Sequence, residues 1–349
     1  METTIPESMN ALQLTKTGPA ESCMEYTKVS TPTLKRKDDI LVRIKATGIN
    51  PVEAKFRAGN VGYFPLSFPC VFGCDYAGIV AAVGSSVTDF QVGDAVYGSL
   101  QYPFGSAGTY AEYTIVSPTK DAIVKKPDTI SFEEAAATGI AANTAYQGII
   151  VDGNLPKTGP KKILVVGASG GVGTYGIQIA KAIGAETVGI CSGKNAAFVK
   201  SLGADRVVDY TSEEAIAALA RETETFDVIL DCVGGDGYYY KLVRTLKKQG
   251  VYSTAVGPSM HVGAEKVGLL SGVKMALAVA NHKLFGDRNY SVVLNLPWVR
   301  FPHDLRPFLE NGSVKSVIME ENIFPLKDGA KAHLKLESHR TVGKIVLVM

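Results

Sequence analysis

The string GASGGVG, Gly167 to Gly173, lies between an apolar run, KKILVVG, and an amphipathic one, VGTYGIQIAKAIG. Glycines in that setting allow a tight turn that brings free backbone N–H groups close to a ligand. The positive end of the helix that starts near Val172 would favour an anion there. The chemistry this implies is pyrophosphate binding, as in the GxGxxG turn of dinucleotide-binding βαβ units. Ala168 stands in the place of the first glycine, and Ser169, Gly170, Gly171, Val172 and Gly173 complete the cradle.

A chain that binds NAD carries an Asp or Glu about 20 residues after the glycines, at the end of the second strand, for the ribose 2′-hydroxyl. No carboxylate occurs here between Thr187 and Ala204. The run ETVGIC leads instead into Ser192, Gly193, Lys194 and Asn195, which offer a hydroxyl, an open backbone and a cation to a 2′-phosphate. The expected cofactor is therefore NADPH, with Tyr210 placed to close over the adenine or its phosphate. Cys232, Val233 and Gly234, and then Ala255, Val256 and Gly257, follow two further apolar runs, at strand ends where open α/β sheets bind ligands.

The elements that position these residues follow from periodicity. From Lys161 onward, buried strands (KKILVVG, ETVGIC, DRVVDY, FDVILDCVG, GVYSTAVG) alternate with helices (VGTYGIQIAKAIG, NAAFVKSLG, SEEAIAALARE, GYYYKLVRTLKKQ). That alternation predicts a parallel, doubly wound sheet covered on both faces. From Ala11 to about Tyr113 the runs are short, alternating and punctuated by Gly, Pro, Asn and Asp, which predicts a mostly β unit. Ser131 and Glu134 form a capping box at the head of a helix between the two regions. Near the end of the chain, VKSVIME and TVGKIVLVM read as strands, and the simplest topology returns the last one to the N-terminal unit. The expected class is α/β. A discontinuous β-rich domain (1–135 and 296–349) holds a nucleotide-binding domain (136–295).

Composition narrows the function classes. Thirty-six Lys and Arg against 34 Asp and Glu leave a net charge of +2, too little for an electrostatic nucleic-acid footprint. The five cysteines are scattered without a CxxC pair, which suggests neither a disulfide framework nor a structural zinc site. The N-terminus METTIPESMNAL lacks a basic region and an apolar core, so it reads as no targeting peptide. VGLLSGVKMALAVA, interrupted by Lys274, is too short to span a bilayer.

Two N-terminal stretches, GINPVEAKFRAGN and FPCVFGCDYAGIV, are not generic. With GTYAEY, EEAAA, TAYQ, GASGGVG, SLGADRVVDY and GKIVLV they resemble the medium-chain dehydrogenase/reductase superfamily, in its quinone oxidoreductase and enone reductase branch. The likeness covers the chain from Met9. It implies a GroES-like β domain beside a Rossmann domain, with Thr144 of TAYQ among the cofactor-binding residues. It also places Asn50 beside the nicotinamide and gives Asp75 the part of a buttress.

In the alcohol dehydrogenase branch, a catalytic zinc is held by Cys, His and Cys where this sequence has Asn50, Cys74 and about Ile140. Only one potential ligand remains, so the expectation is no metal. Without a Lewis acid the easier chemistry is hydride transfer from NADPH to an already electrophilic quinone, enone or enal. Asn50 and Lys55 are then the catalytic candidates, Lys55 stabilising the developing oxyanion. Tyr63 and Phe64 would wall a flat substrate. The alternatives are an enoyl-thioester reductase and a non-catalytic NADPH-binding protein with a structural or membrane-peripheral role. The resemblance further implies a homodimer. The expected location is cytoplasmic, or peripheral to a plastid envelope, which members of the branch reach without a cleavable peptide.

Overall fold

The structure is a computed structural model that describes residues 4–60, 67–101, 104–105, 108–258, 268–294 and 301–349. Tyr63 and Phe64 lie outside these residues.

Six strands form one parallel sheet in the order Arg206–Asp209, Glu186–Cys191, Lys162–Val166, Phe226–Asp231, Leu246–Thr254, Asn289–Val292. In sequence rank this is 3-2-1-4-5-6, the doubly wound order, with its switch point between the first and fourth strands. Strand Lys162–Val166 shows why the apolar run had no alternation. Ile163 and Val165 pack into one apolar cluster and Leu164 and Val166 into another, one on each face, all four fully buried.

The N-terminal region builds two further sheets. Met24–Ser30, Ser8–Leu14, Cys70–Phe72 and Phe104–Gly105 form the smaller. The larger runs Ile323–Pro325, Ile345–Val348, Ile40–Ile49, Asp75–Val83, Ala95–Ser99, Ala122–Lys125, with Tyr113–Val116 also paired to Ile40–Ile49. The late strand Ile345–Val348 lies antiparallel to Ile40–Ile49, with Leu347 opposite Thr47.

Helix Phe132–Tyr146 is the bearing between the sheets. Ser131 and Glu134 cap its start reciprocally. Its buried face is alanine (Ala135, Ala136, Ala137, Ala141, Ala142, Ala145), small enough for close approach on two sides. The same apolar cluster takes in Ala46, Ala77 and Tyr97 from one sheet and Ile163 and Val165 from the other.

Two expected elements differ. The run GYYYKLVRTLKKQ is helical only over Asp236–Leu242, and Leu246 already begins a strand. Leu246 is fully buried opposite Phe226, so a place in the core overrides the helical propensity of LKKQ. VKSVIME is not a strand and keeps only a bridge from Ile318 to Gly343. Side chains anchor it instead: Gln178 Oε1 accepts Lys315 N–H at 2.9 Å, and Ser316 Oγ donates to Glu134 O at 2.6 Å.

Candidate active site

The turn Gly167–Gly173 leaves the carboxyl end of Lys162–Val166 and enters helix Gly171–Ala182. Gly167 has a positive φ of 78°, and its N–H and that of Ala168 both donate to Ile190 O on the next strand. A Cβ on Gly173 would overlap Gly167 O, so the close turn requires glycine there. Gly170 caps the helix without a side-chain hydrogen bond, which leaves the first N–H groups directed at whatever fills the turn.

Around this turn, Asn195 Nδ2 donates to Ser169 Oγ at 3.2 Å, bringing two of the sequence-predicted residues into contact. Ser192 is half-buried, Lys194 is exposed and pairs with no described carboxylate, and Tyr210 stands half in solvent. A carboxylate that the sequence reading passed over sits close by. Asp209 takes hydrogen bonds from Thr211 and from Gly193 N–H, which hold its pKa low. Being spent on backbone, it organises the Gly193 turn that presents Lys194.

Deeper along the strand ends, buried Asp231 accepts the N–H groups of Val233 (2.9 Å) and Gly234 (3.0 Å) and the Tyr252 hydroxyl (3.1 Å). Thr254 Oγ1 likewise takes Val256 and Gly257 N–H, and Gly235 N–H donates to Gly257 O at 2.9 Å. The loops that carry Cys232 and Ala255 are thus locked together. Thr144 is buried in the helix between the sheets, its hydroxyl on Ile140 O at 2.7 Å.

At the other end, strand Ile40–Ile49 stops at Asn50, which caps helix Pro51–Arg57 with Glu53 in a reciprocal box. Both side chains point into a buried polar cluster. Asn50 Nδ2 donates to Asp75 Oδ2 at 2.8 Å, and Asn50 Oδ1 accepts Lys344 Nζ at 2.6 Å. Glu53 accepts Asn50 N–H, and Cys74 N–H at 3.1 Å. Asp75 Oδ1 accepts Ile140 N–H at 2.9 Å, beside Gly139, where a Cβ would overlap the carboxylate.

Two buried carboxyl groups thus face one buried amine. Burial, with Asp75 adding its charge, pushes Glu53 up to about 8, while burial lowers Lys344. Burial raises Asp75 too, an effect that Lys344 and the hydrogen bonds from Asn50 and Ile140 oppose. Asp75, expected to act as a buttress, accepts the Asn50 amide and Ile140 N–H. Glu53 and Lys344 were not singled out, because nothing in their spacing joins positions 53, 75 and 344.

These residues do not suit a zinc ion. Of Asn50, Cys74 and Ile140 only Cys74 carries a usual zinc ligand, where a catalytic site takes three from the protein. Among the described residues no group of three or more His, Cys, Asp or Glu could hold a metal. Lys55, one turn along the helix, is half-buried, and burial lowers its pKa; no described carboxylate pairs with it.

Comparison with known proteins fits this geometry. Two family models match, an alcohol dehydrogenase GroES-like domain over residues 36–128 and a zinc-binding dehydrogenase over residues 202–347. A chloroplast envelope quinone oxidoreductase homolog of Arabidopsis thaliana is 30% identical, covering 97% of this chain and 98% of its own. A 2-methylene-furan-3-one reductase of Solanum lycopersicum is 32% identical, over 98% of this chain and 80% of its own. The Escherichia coli quinone oxidoreductase complexed with NADPH superposes with a TM-score of 0.78 at 27% identity, covering 97% of this chain and all of that one.

Proposed function

Because this chain belongs to the medium-chain dehydrogenase/reductase superfamily, in its quinone oxidoreductase-like branch, we propose that it is a zinc-independent, NADPH-dependent reductase of quinones or α,β-unsaturated carbonyls. It is an oxidoreductase of the kind that binds a nicotinamide cofactor. The observation that carries the finer reading is the reacting end itself. Asn50, Glu53, Asp75 and Lys344 form a hydrogen-bonded polar cluster, with Asn50 standing where the resemblance expects a zinc ligand, and such a cluster offers an alcohol no Lewis acid.

The bound cofactor would supply hydride. The chain's own part is to hold the pyrophosphate on Ser169–Gly173, read the 2′-phosphate with Ser192, Lys194 and Tyr210, and present Asn50 beside the nicotinamide. Lys55 meets the charge that develops on the acceptor oxygen. The chain divides into two domains in this reading, 1–135 with 296–349, and 136–295. The open edge strand Asn289–Val292 and the exposed Leu270, Leu277 and Leu284 of the helix before it favour a homodimer through that face.

A panel of quinones, enones, enals and enoyl thioesters, with NADPH oxidation followed by absorbance, tests the function. Turnover of quinones or enones that survives chelator is expected. Turnover of thioesters alone, chelator-sensitive turnover, or NADPH binding with no turnover on any acceptor would each overturn the reading.

Cofactor choice is tested by Lys194→Ala. It should weaken NADPH by roughly 1.5–3 kcal/mol, about ten- to 150-fold, with NADH nearly unchanged, since only NADPH offers a phosphate to an ammonium. Equal losses in a fluorescence titration of both nucleotides would assign the 2′-phosphate to other groups.

A further inference from the structure

One member of the polar cluster comes from the far end of the chain. Gly343 is tied to the phosphate turn: its N–H donates to Ser169 O at 2.9 Å and it bridges Gly170. The stem of Lys344 then runs past Gly171, where a Cβ would come within 2.9 Å of its Cδ. Its ammonium ends among buried groups, on Ile49 O at 2.8 Å and Asn50 Oδ1 at 2.6 Å. One side chain therefore reaches from the head of the cradle helix to Asn50.

A carboxamide has two orientations of nearly the same shape, differing by exchange of oxygen and nitrogen. Here the choice is forced from both ends, with Oδ1 on the Lys344 ammonium and Nδ2 on the Asp75 carboxylate. Turned over, the NH2 would face a cation and the oxygen an anion. The ionisable groups that bear on the pair are Glu53 from its helix, Asp75 from the strand opposite and Cys74 just before it, and Tyr110, whose phenol lies against Glu53. Removing Lys344 would leave the buried Asp75 carboxylate without its cation and the amide held at Nδ2 alone, with Oδ1 unpartnered.

We propose that Lys344 is a positioning residue for hydride transfer, which acts by setting the orientation of the Asn50 carboxamide. The proposal rests on the reading of Asn50 as part of the reacting end.

The test uses the full chain with Lys344→Met, Lys344→Arg and the double variant Lys344→Met/Asp75→Asn. Lys344→Met should lower kcat for an enone roughly tenfold while the NADPH Kd stays within about threefold, and Lys344→Arg should restore most of the loss. The double variant, its charge rebalanced, should recover thermal stability but not kcat; should Lys344→Met alone fail to fold, this variant carries the test. In the protein without nucleotide, the Asn50 side-chain amide signal, identified by its loss in Asn50→Ala, should exchange slowly with solvent in the wild type and fast in Lys344→Met.

Wild-type kcat with a slowly exchanging amide in Lys344→Met would overturn the proposal. So would a loss confined to NADPH affinity, or a double variant that recovers kcat together with stability. A wild-type protein that reduces no acceptor would sink the reductase reading alone, since amide exchange still decides what Lys344 does.

Discussion

Lys55→Ala should lower kcat and kcat/KM together for an enone acceptor, by a factor on the order of 10 to 1,000, with NADPH affinity almost unchanged. The size of the effect follows from where the side chain is. Its near neighbour in sequence, Glu53, is turned inward onto Asn50 and Cys74 and is not available as an ion-pair partner. Lys55 itself is half-buried, and burial lowers its pKa, so the ammonium is a poorly hydrated charge that gains most from a developing oxyanion. An interaction made only as charge develops appears in kcat and kcat/KM alike. Quinones accept hydride with less help and should lose less. Lys55→Met, which keeps the apolar stem, separates charge from packing. Wild-type enone turnover in either variant would transfer the oxyanion to backbone N–H groups, a hydroxyl or water.

Acid should destabilise the fold through His333, by about 3 kcal/mol between pH 7.5 and pH 4. The imidazole is fully buried on helix Gly329–Glu337, with Nε2 on the Tyr110 hydroxyl at 3.2 Å and the Phe72 ring close by. Burial, with the buried Arg57 guanidinium adding to it, pushes its pKa down from 6.5 to about 3. The sign follows from proton uptake. Between about pH 6.5 and about 3 the unfolded chain binds a proton there and the native one does not, so stability is full above 6.5 and falls as pH is lowered through that window. Chemical denaturation at several pH values checks it. His333→Gln should flatten the dependence across that window, whatever it does to stability at pH 7.5. An unchanged slope in the variant would assign the acid loss to other groups.

The sequence disclosed the parallel-sheet part more fully than the polar cluster at Asn50, for a physical reason. A parallel sheet covered on both faces writes itself as unbroken apolar runs such as Lys162–Val166, and its ligand turn is contiguous, so Gly167–Gly173 could be read as one string. The polar cluster at Asn50 is assembled from positions 50, 53, 75 and 344, and 344 joins the others because Ile345–Val348 pairs with Ile40–Ile49. A lysine in GKIVLV and a glutamate in NPVEAK look like ordinary surface charges until that pairing buries them. The errors in local structure have the same origin. LKKQ favours helix by propensity yet is drawn into a strand by Leu246, and VKSVIME has the composition of a strand but is held by Gln178 and Ser316 side-chain contacts.

The return of Ile345–Val348 to Ile40–Ile49 also orders events on the ribosome. The six parallel strands lie between residues 162 and 292 and can pair as they emerge, whereas the larger mixed sheet lacks its strand next to Ile40–Ile49 until almost 300 residues later. At ~5–20 residues per second that interval is on the order of 15–60 s, long against the pairing of strands already made. Throughout it, the edge of Ile40–Ile49 that Ile345–Val348 will occupy stays unpaired, open to other extended chains. The same closing segment brings Lys344 to Asn50, so the polar cluster there is completed last, after the turn Gly167–Gly173 can already exist.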